Sequence, residues 1–243
     1  MKIISFSLWG NSPKYCIGAL KNAELAKVLY PDWKCWFYVP CLEDCKGNLL
    51  IDTIIKLSVM DNCKVIQTGA FGDWRGMFWR FDAISDPLCE VMISRDCDSR
   101  LSLRERLAVD EWLTSPRTFH IMRDHPWHGS KMLGGMWGVK GPFPMIRSLA
   151  IQWPAEDRYQ TDQDFLNTAL YPIASRDVMI HAQFCAIEDF AIPFPKPRNG
   201  LEFVGQVFDE NDVTVAEHQT MLYKALKMQG EPIRKENLPE CLR

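Results

Sequence analysis

Along the first two thirds of the chain, short apolar runs take turns with longer stretches of helical character, and this alternation restricts the fold more than any other feature. Ile3 to Leu8, Cys35 to Val39, Lys64 to Thr68, Glu90 to Ser94 and Thr118 to Met122 are rich in β-branched, aromatic or other apolar residues. Polar or turn-forming residues bound each run, which is the pattern of buried strands. Between them, Pro13 to Leu29, Leu49 to Met60, Arg75 to Ile84 and Leu103 to Leu113 read as helices. Ser12 and Pro13 supply the first with an N-cap and a proline at its first position. Ser102 and Glu105 give the last a capping box, in which hydroxyl and carboxylate can each satisfy an amide at the helix start. Strand and helix in series predict right-handed crossovers and a single, mainly parallel central sheet with helices on both faces, an α/β fold. Ligands on such sheets gather at the carboxyl ends of the strands.

From about residue 140 the pattern loosens, broken by Pro142, Pro144, Pro154, Pro172, Pro193, Pro195 and Pro197. Residues 191–200 read as an ordered loop, and only Thr161 to Leu170 and Val215 to Met228 read as helices there. Neither an internal repeat nor a low-complexity tract appears, so the 243 residues are expected to form one domain.

Composition removes several classes of function. With 28 Lys+Arg against 31 Asp+Glu the net charge is −3, which argues against a partner bound by bulk charge such as nucleic acid. No apolar run approaches the ~20 residues that cross a bilayer, and the opening Met1 to Trp9 is short for a signal-peptide core. Nine cysteines, an odd number scattered through the chain, fit reduced thiols and a cytoplasmic setting. The closest pair, Cys41 and Cys45, has no second pair to complete a structural zinc site.

The most informative stretch is Glu90-Val91-Met92-Ile93-Ser94-Arg95-Asp96-Cys97-Asp98-Ser99-Arg100, because it carries a buried strand straight into two carboxylates. In extended backbone, positions two apart project to the same side, so Asp96 and Asp98 can converge on one hard cation such as Mn²⁺ or Mg²⁺. A loop capping the helix at Ser102 is the plainer explanation. The sequence has no phosphate-binding glycine loop of the ATPase or dehydrogenase kind. What remains is a metal that bridges a diphosphate without such a loop, the work of a nucleotide-sugar transferase, in which the cation neutralises charge on the departing nucleoside diphosphate.

Four further groups surround this reading. Thr161-Asp162-Gln163-Asp164-Phe165-Leu166-Asn167 opens a helix, and its acids either stabilise the helix start or place Asp162, Gln163 or Asp164 under a sugar. His120 to Gly138 leaves a strand for a loop in which Gly134 and Gly135 allow close backbone approach, Trp127 and Trp137 offer flat faces, and His125 or His128 could donate to phosphate. His181 ends another apolar run and is a candidate third metal ligand. Arg80, set among Phe78, Trp79 and Phe81, needs an anionic partner, either a phosphate or Asp96 itself.

These residues together resemble the GT-A glycosyltransferases, metal-dependent enzymes with a nucleotide-binding α/β sheet. Ser94 to Arg100 looks like their Asp-x-Asp segment. Asp162-Gln163-Asp164-Phe165-Leu166-Asn167 is similar to the Asp-Gln-Asp-x-Leu-Asn stretch of retaining lipopolysaccharide galactosyltransferases and, more loosely, of glycogenin. Gly134 to Gly138 falls where such enzymes place small residues against the donor sugar. The chain also looks like small glycosyltransferase domains of large DNA viruses of algae. By this resemblance, Ser7, Leu8 and Trp9 would meet the base. Asp96 would contact the ribose and the metal, Asp98 would ligate the metal, and Asp162 to Asp164 would face the sugar. From the residues themselves, His181 adds a third metal ligand, and Ser94, Arg95, Arg80, Gly134, Gly135, His125 and His128 would stand beside the nucleotide.

The nucleotide part would span about 1–140 and the acceptor side about 141–243, within one GT-A domain. The family's later His-x-x-Gly-x-x-Lys-Pro-Trp segment, which carries a metal ligand, has no counterpart here, and His128 is the substitute for His181. The implied activity is transfer of a sugar, with retention, from a UDP-linked donor to a glycan or other hydroxyl acceptor. The implied setting is the cytoplasm of a bacterium or of a virus-infected host cell. A metal-dependent phosphodiesterase or nucleotidyltransferase, and a non-catalytic carbohydrate-binding module, are the competing classes.

Overall fold

The computed structural model describes residues 1–41, 48–184 and 187–230. Its first half follows the expected alternation: β1 Lys2–Ser7, α1 Pro13–Leu29, β2 Trp33–Val39, α2 Asn48–Ser58, β3 Cys63–Gln67, a 3₁₀ segment Trp74–Ser85, β4 Val91–Ser94, α3 Leu103–Thr114 and β5 Phe119–Arg123. There follow β6 Trp137–Lys140, α4 Pro144–Gln152 and α5 Thr161–Phe165. A π-helical turn Leu166–Leu170 then leads into α6 Tyr171–Ala174, and β7 Val178–Ala182 and α7 Ala216–Met228 complete the described elements. Cys45, Cys185 and Cys241 lie outside the described residues.

The strands form one seven-stranded sheet in the order β3-β2-β1-β4-β6-β5-β7. Only β6 runs against its neighbours, β4 and β5; the remaining pairs are parallel. Both faces are covered, and the two-residue period of a strand divides the core accordingly. Ile3, Met92, Ile121 and Trp137 pack with Phe78, Phe81 and Phe165 on one face. Ile4, Phe6, Phe37 and Ile93 pack with Ala19, Ala23, Leu50, Val109 and Trp112 from the helices of the other. The α/β class read from the sequence is the one observed. Because β1 lies between β2 and β4, the chain reverses its direction of travel across the sheet there, and a crevice opens outside the carboxyl ends of β1 and β4.

Several elements depart from the reading of the sequence. The expected helix Arg75 to Ile84 is 3₁₀, and its three-residue period explains why: Phe78, Phe81 and Ile84 share a buried side, while Met77 and Arg80 share another. Asp73 accepts from the Arg75 amide to start it. Only half of the capping box at Ser102 forms. Its hydroxyl accepts from the Glu105 amide at 3.2 Å, but the Glu105 carboxylate accepts from Arg95 at 2.7 Å instead. Pro142 and Pro144 read as breakers, yet Pro144 opens α4, where a proline loses no helical hydrogen bond. Trp137 and Gly138, assigned to a ligand loop, belong to β6. A Cβ at Gly138 would stand 3.0 Å from the Met92 carbonyl oxygen, so the glycine serves strand packing.

Candidate active site

The Asp96–Leu101 turn follows β4 and is held by one face of α1. Gly18 lets the helix approach so closely that a Cβ there would lie 2.1 Å from the Cys97 carbonyl oxygen. Four residues on, Asn22 donates to the carbonyls of Cys97 at 3.3 Å and Ser99 at 2.8 Å and accepts from the Leu101 amide at 3.0 Å. One turn before Gly18, Lys14 reaches Asp98 at 2.7 Å. Lys14, Gly18 and Asn22 follow one another at four-residue steps, the spacing that keeps side chains on one helix face. From the other side, Phe208 donates its amide to the Asp98 carbonyl at 2.9 Å.

Arg80 is the centre of the site. The 3₁₀ segment is pinned to β1, with Ser5 Oγ donating to the Arg80 carbonyl at 2.6 Å and the Arg80 amide donating to Ser7 Oγ at 3.0 Å. Its buried guanidinium forks between Asp96 and Asp162, the second at 2.7 Å, and also donates to the Arg95 carbonyl at 3.2 Å. Desolvation works against the charge on Arg80, and the carboxylates of Asp96 and Asp162 more than restore it, so its pKa is raised. The anionic partner anticipated for this arginine is therefore Asp96, with Asp162 beside it.

Two glycines make this packing possible. A Cβ at Gly134 would lie 2.3 Å from Arg80 Nη2 and 2.6 Å from Asp162 Oδ2, and a Cβ at Gly135 would lie 2.1 Å from Asp96 Oδ2. Ser94 Oγ fixes the same backbone by donating to the Gly134 carbonyl at 2.7 Å. These glycines serve close approach between protein groups.

A cavity of about 370 Å³ stands over these residues, with Ser7, Leu8, Trp9, Arg80, Asp96, Asp98, Gly134, Asp162 and Gln163 in its wall. Its rim is aromatic. Trp74 meets Trp9 edge to face at 6.3 Å and Tyr159 at 5.4 Å, and Tyr15, Trp74 and Tyr159 also line the cavity. Gln160 adopts φ +67 immediately before α5, a left-handed conformation uncommon outside glycine, and it too is in the wall.

The donor set suits a hard divalent cation. Asp96 and Asp98 line one wall, and the pKa of Asp98 is raised, first by desolvation and then by the neighbouring charge of Asp96. Carboxylate oxygens are the ligands such ions select. Lys14 and the amide of Asp98 itself pull the other way on that carboxyl group. Among the described residues, no third His, Cys, Asp or Glu completes a metal-binding group with the pair. Asp162 also has a raised pKa, by desolvation, which Arg80 partly offsets.

Comparison with known proteins gives the following. No protein-family model matches the chain, and no curated protein sequence matches it. Among solved structures, its backbone is similar to those of two glycosyltransferases and of a 4-diphosphocytidyl-2C-methyl-D-erythritol synthase. The galactosyltransferase LgtC with donor and acceptor sugar analogues shares 14% identity over 74% of this chain and 73% of its own, with a TM-score of 0.44. A glycosyltransferase involved in glycosylation of the major capsid of PBCV-1 shares 13% over 74% and 81%, with a TM-score of 0.47. The 4-diphosphocytidyl-2C-methyl-D-erythritol synthase of Anaerococcus prevotii shares 11% over 93% and 97%, with a TM-score of 0.45.

Several residues expected at the site stand elsewhere. His181 is buried under the sheet face: its Nδ1 pairs with His120 Nε2 at 2.8 Å and its Nε2 faces Glu111 at 3.3 Å, so it is no partner of the Asp pair. His125 and His128 are outside the cavity wall. His125 Nδ1 accepts from the Trp127 amide at 3.1 Å and its Nε2 bonds the His218 carbonyl at 3.0 Å. His128 Nδ1 accepts from the Asp124 amide at 3.0 Å, which turns this imidazole to loop structure.

Arg95 points inward to Glu105 and Ser94 supports Gly134, so both act from beneath the site. Asp164 faces outward and pairs with Arg158, whereas Asp162 is buried beside Arg80. Gln163 keeps its place in the wall and donates to Ser130 Oγ at 3.3 Å. Trp137 is fully buried and offers no face to a sugar; Trp127 is exposed but lies outside the wall. The backbone at Asp96 to Asp98 turns instead of continuing the strand, yet both carboxylates reach the cavity.

The structure also brings in Lys14, Tyr15, Trp74, Tyr159 and Gln160. Of these, only Lys14 carried a usable signal, its four-residue spacing to Gly18 and Asn22.

Proposed function

We propose that this chain is a GT-A glycosyltransferase that transfers a sugar from a nucleoside diphosphate donor, with UDP the expected nucleotide, to a glycan or other hydroxyl acceptor, with retention. The observation that carries this reading is the meeting of Asp96, Asp98, Asp162 and Arg80 in one cavity at the carboxyl ends of β1 and β4. Asp96 and Asp98 would hold Mn²⁺ or Mg²⁺. When bound, that cation supplies a Lewis acid for the charge that develops on the departing diphosphate. Ser7, Leu8 and Trp9, at the end of β1, would take the base. Asp162 and Gln163 would face the sugar, the first with its orientation set by Arg80.

Arg80 in this reading is a positioning residue, because its fork is already committed to two carboxylates. The expected seat of the protein is the cytoplasm; no described helix is long and apolar enough to cross a membrane. The test is product analysis after incubation with UDP-glucose or UDP-galactose and Mn²⁺. Release of UDP, lost in Asp96→Asn, supports sugar transfer or its hydrolytic side reaction. Release of UMP with a sugar phosphate would replace it with phosphodiester chemistry.

A further inference from the structure

Lys14 sits in the first turn of the 17-residue helix α1, where the free amides and the helix dipole already concentrate positive charge. Acids are favoured at such a position, and α1 has none in its first turn. The lysine is not itself in the cavity wall but is joined at 2.7 Å to Asp98, which is, with Asp96 and Asp162 in the same wall. Its backbone stands on the helix face along which Gly18 and Asn22, one and two turns further on, hold the Asp96–Leu101 turn.

The two cations of the site differ in freedom. The Arg80 side chain is 5% exposed and spans two carboxylates; the Lys14 side chain is 33% exposed and rests over the Tyr15 ring at 5.0 Å. An ammonium on a flexible four-carbon stem can change partner, whereas a buried, bidentate guanidinium cannot do so without leaving charges unpaired.

We propose that Lys14 is the diphosphate-binding cation of this site: its ammonium pairs with Asp98 in the free protein, a divalent cation displaces it, and it then pairs with the diphosphate oxygens. The inference rests on the reading of Asp96 and Asp98 as metal ligands. It has a signature that a structural lysine lacks, because the same side chain competes with the metal and assists the nucleotide. Removal of its charge must therefore move the two affinities in opposite directions.

The experiment titrates Mn²⁺ alone into wild type, Lys14→Met, Lys14→Arg and Asp98→Asn, with free Mn²⁺ read by electron paramagnetic resonance. UDP and uridine are then titrated calorimetrically at saturating Mn²⁺. The expected result for Lys14→Met is Mn²⁺ binding about three- to tenfold tighter and UDP binding about tenfold weaker, with uridine unchanged, as charge-assisted pairing requires. Lys14→Arg should keep UDP affinity near that of wild type, and Asp98→Asn should lose Mn²⁺. If Asp98→Asn loses Mn²⁺ while Lys14→Met leaves both affinities unchanged, or weakens both, the role of Lys14 is overturned and the metal site stands. If wild type binds no Mn²⁺, both fall.

Discussion

Arg80 donates to Asp162 across 2.7 Å, linking the 3₁₀ segment to a helix that begins 81 positions later in the chain. Both side chains are 5% exposed, and the same guanidinium holds Asp96. The arrangement joins the Asp96 side of the cavity to its Asp162 side through one planar group.

Replacement of Arg80 by Met should destabilise the protein by about 3–5 kcal/mol, because it leaves the Asp162 carboxylate buried without its partner. Urea unfolding monitored by circular dichroism measures this. Arg80→Met combined with Asp162→Leu should recover most of the loss, since the buried charge goes with its partner.

Gly135→Ala should act on both the site and the fold. Its Cβ would meet Asp96 Oδ2 at 2.1 Å and the Asp96 backbone nitrogen at 2.9 Å, so the carboxylate must swing away and the turn that carries it must shift. A fall of Mn²⁺ affinity of about tenfold or more is expected, with a lowered unfolding midpoint, because the proposed metal ligand is displaced together with its backbone. A variant with wild-type Mn²⁺ affinity would contradict the assignment of Asp96.

The chain has five histidines, and all five have lowered pKa values, with desolvation the first cause in each case. An unfolded histidine takes up a proton near pH ~6.5, while the folded ones remain neutral to lower pH, so the unfolded state binds more protons below that value. Stability is thus fully present above about pH 6.5 and is lost as the pH falls from there toward the folded pKa values. Urea midpoints at pH 7.5, 6.5 and 5.5 should decline in that order. A midpoint independent of pH would show that these imidazoles are not desolvated.

The segment that follows β7 is tied down by one buried acid. Asp124 is fully buried and accepts from Arg104 at 2.8 Å, from Arg198 at 2.6 Å and from the Val204 amide at 2.9 Å. Asp124→Ala leaves two buried guanidiniums unpaired and should cost about 3–5 kcal/mol. Limited proteolysis should then cut first between residues 191 and 206, and equal resistance in wild type and variant would refute the clasp.

The order of strands and helices was legible because each early element carries its own period, as in Ile3 to Leu8 or Pro13 to Leu29. Asp96 and Asp98 are legible as a pair at a strand end, Asp162 as a helix start, and Arg80 as a charge in apolar surroundings with Asp96 a candidate partner, whereas the Arg80–Asp162 pair is made by the tertiary fold alone. The histidine positions are not legible, since an imidazole in sequence looks the same whether it faces a ligand or, like His181, another buried ring. Trp137 and Gly138 read locally as loop because a glycine that makes room for a neighbouring strand cannot be told in sequence from one that makes room for a ligand. Trp74 and Tyr159 meet only through the tertiary fold, and no spacing in the chain announces them.

The most direct measurement of the central claim is calorimetric titration of UDP into the purified protein, with Mn²⁺ and then with excess EDTA. Saturable binding that requires Mn²⁺ and disappears in both Asp96→Asn and Asp98→Asn is the expected result. UDP binding of equal strength with and without the metal, or intact in both variants, would contradict the account.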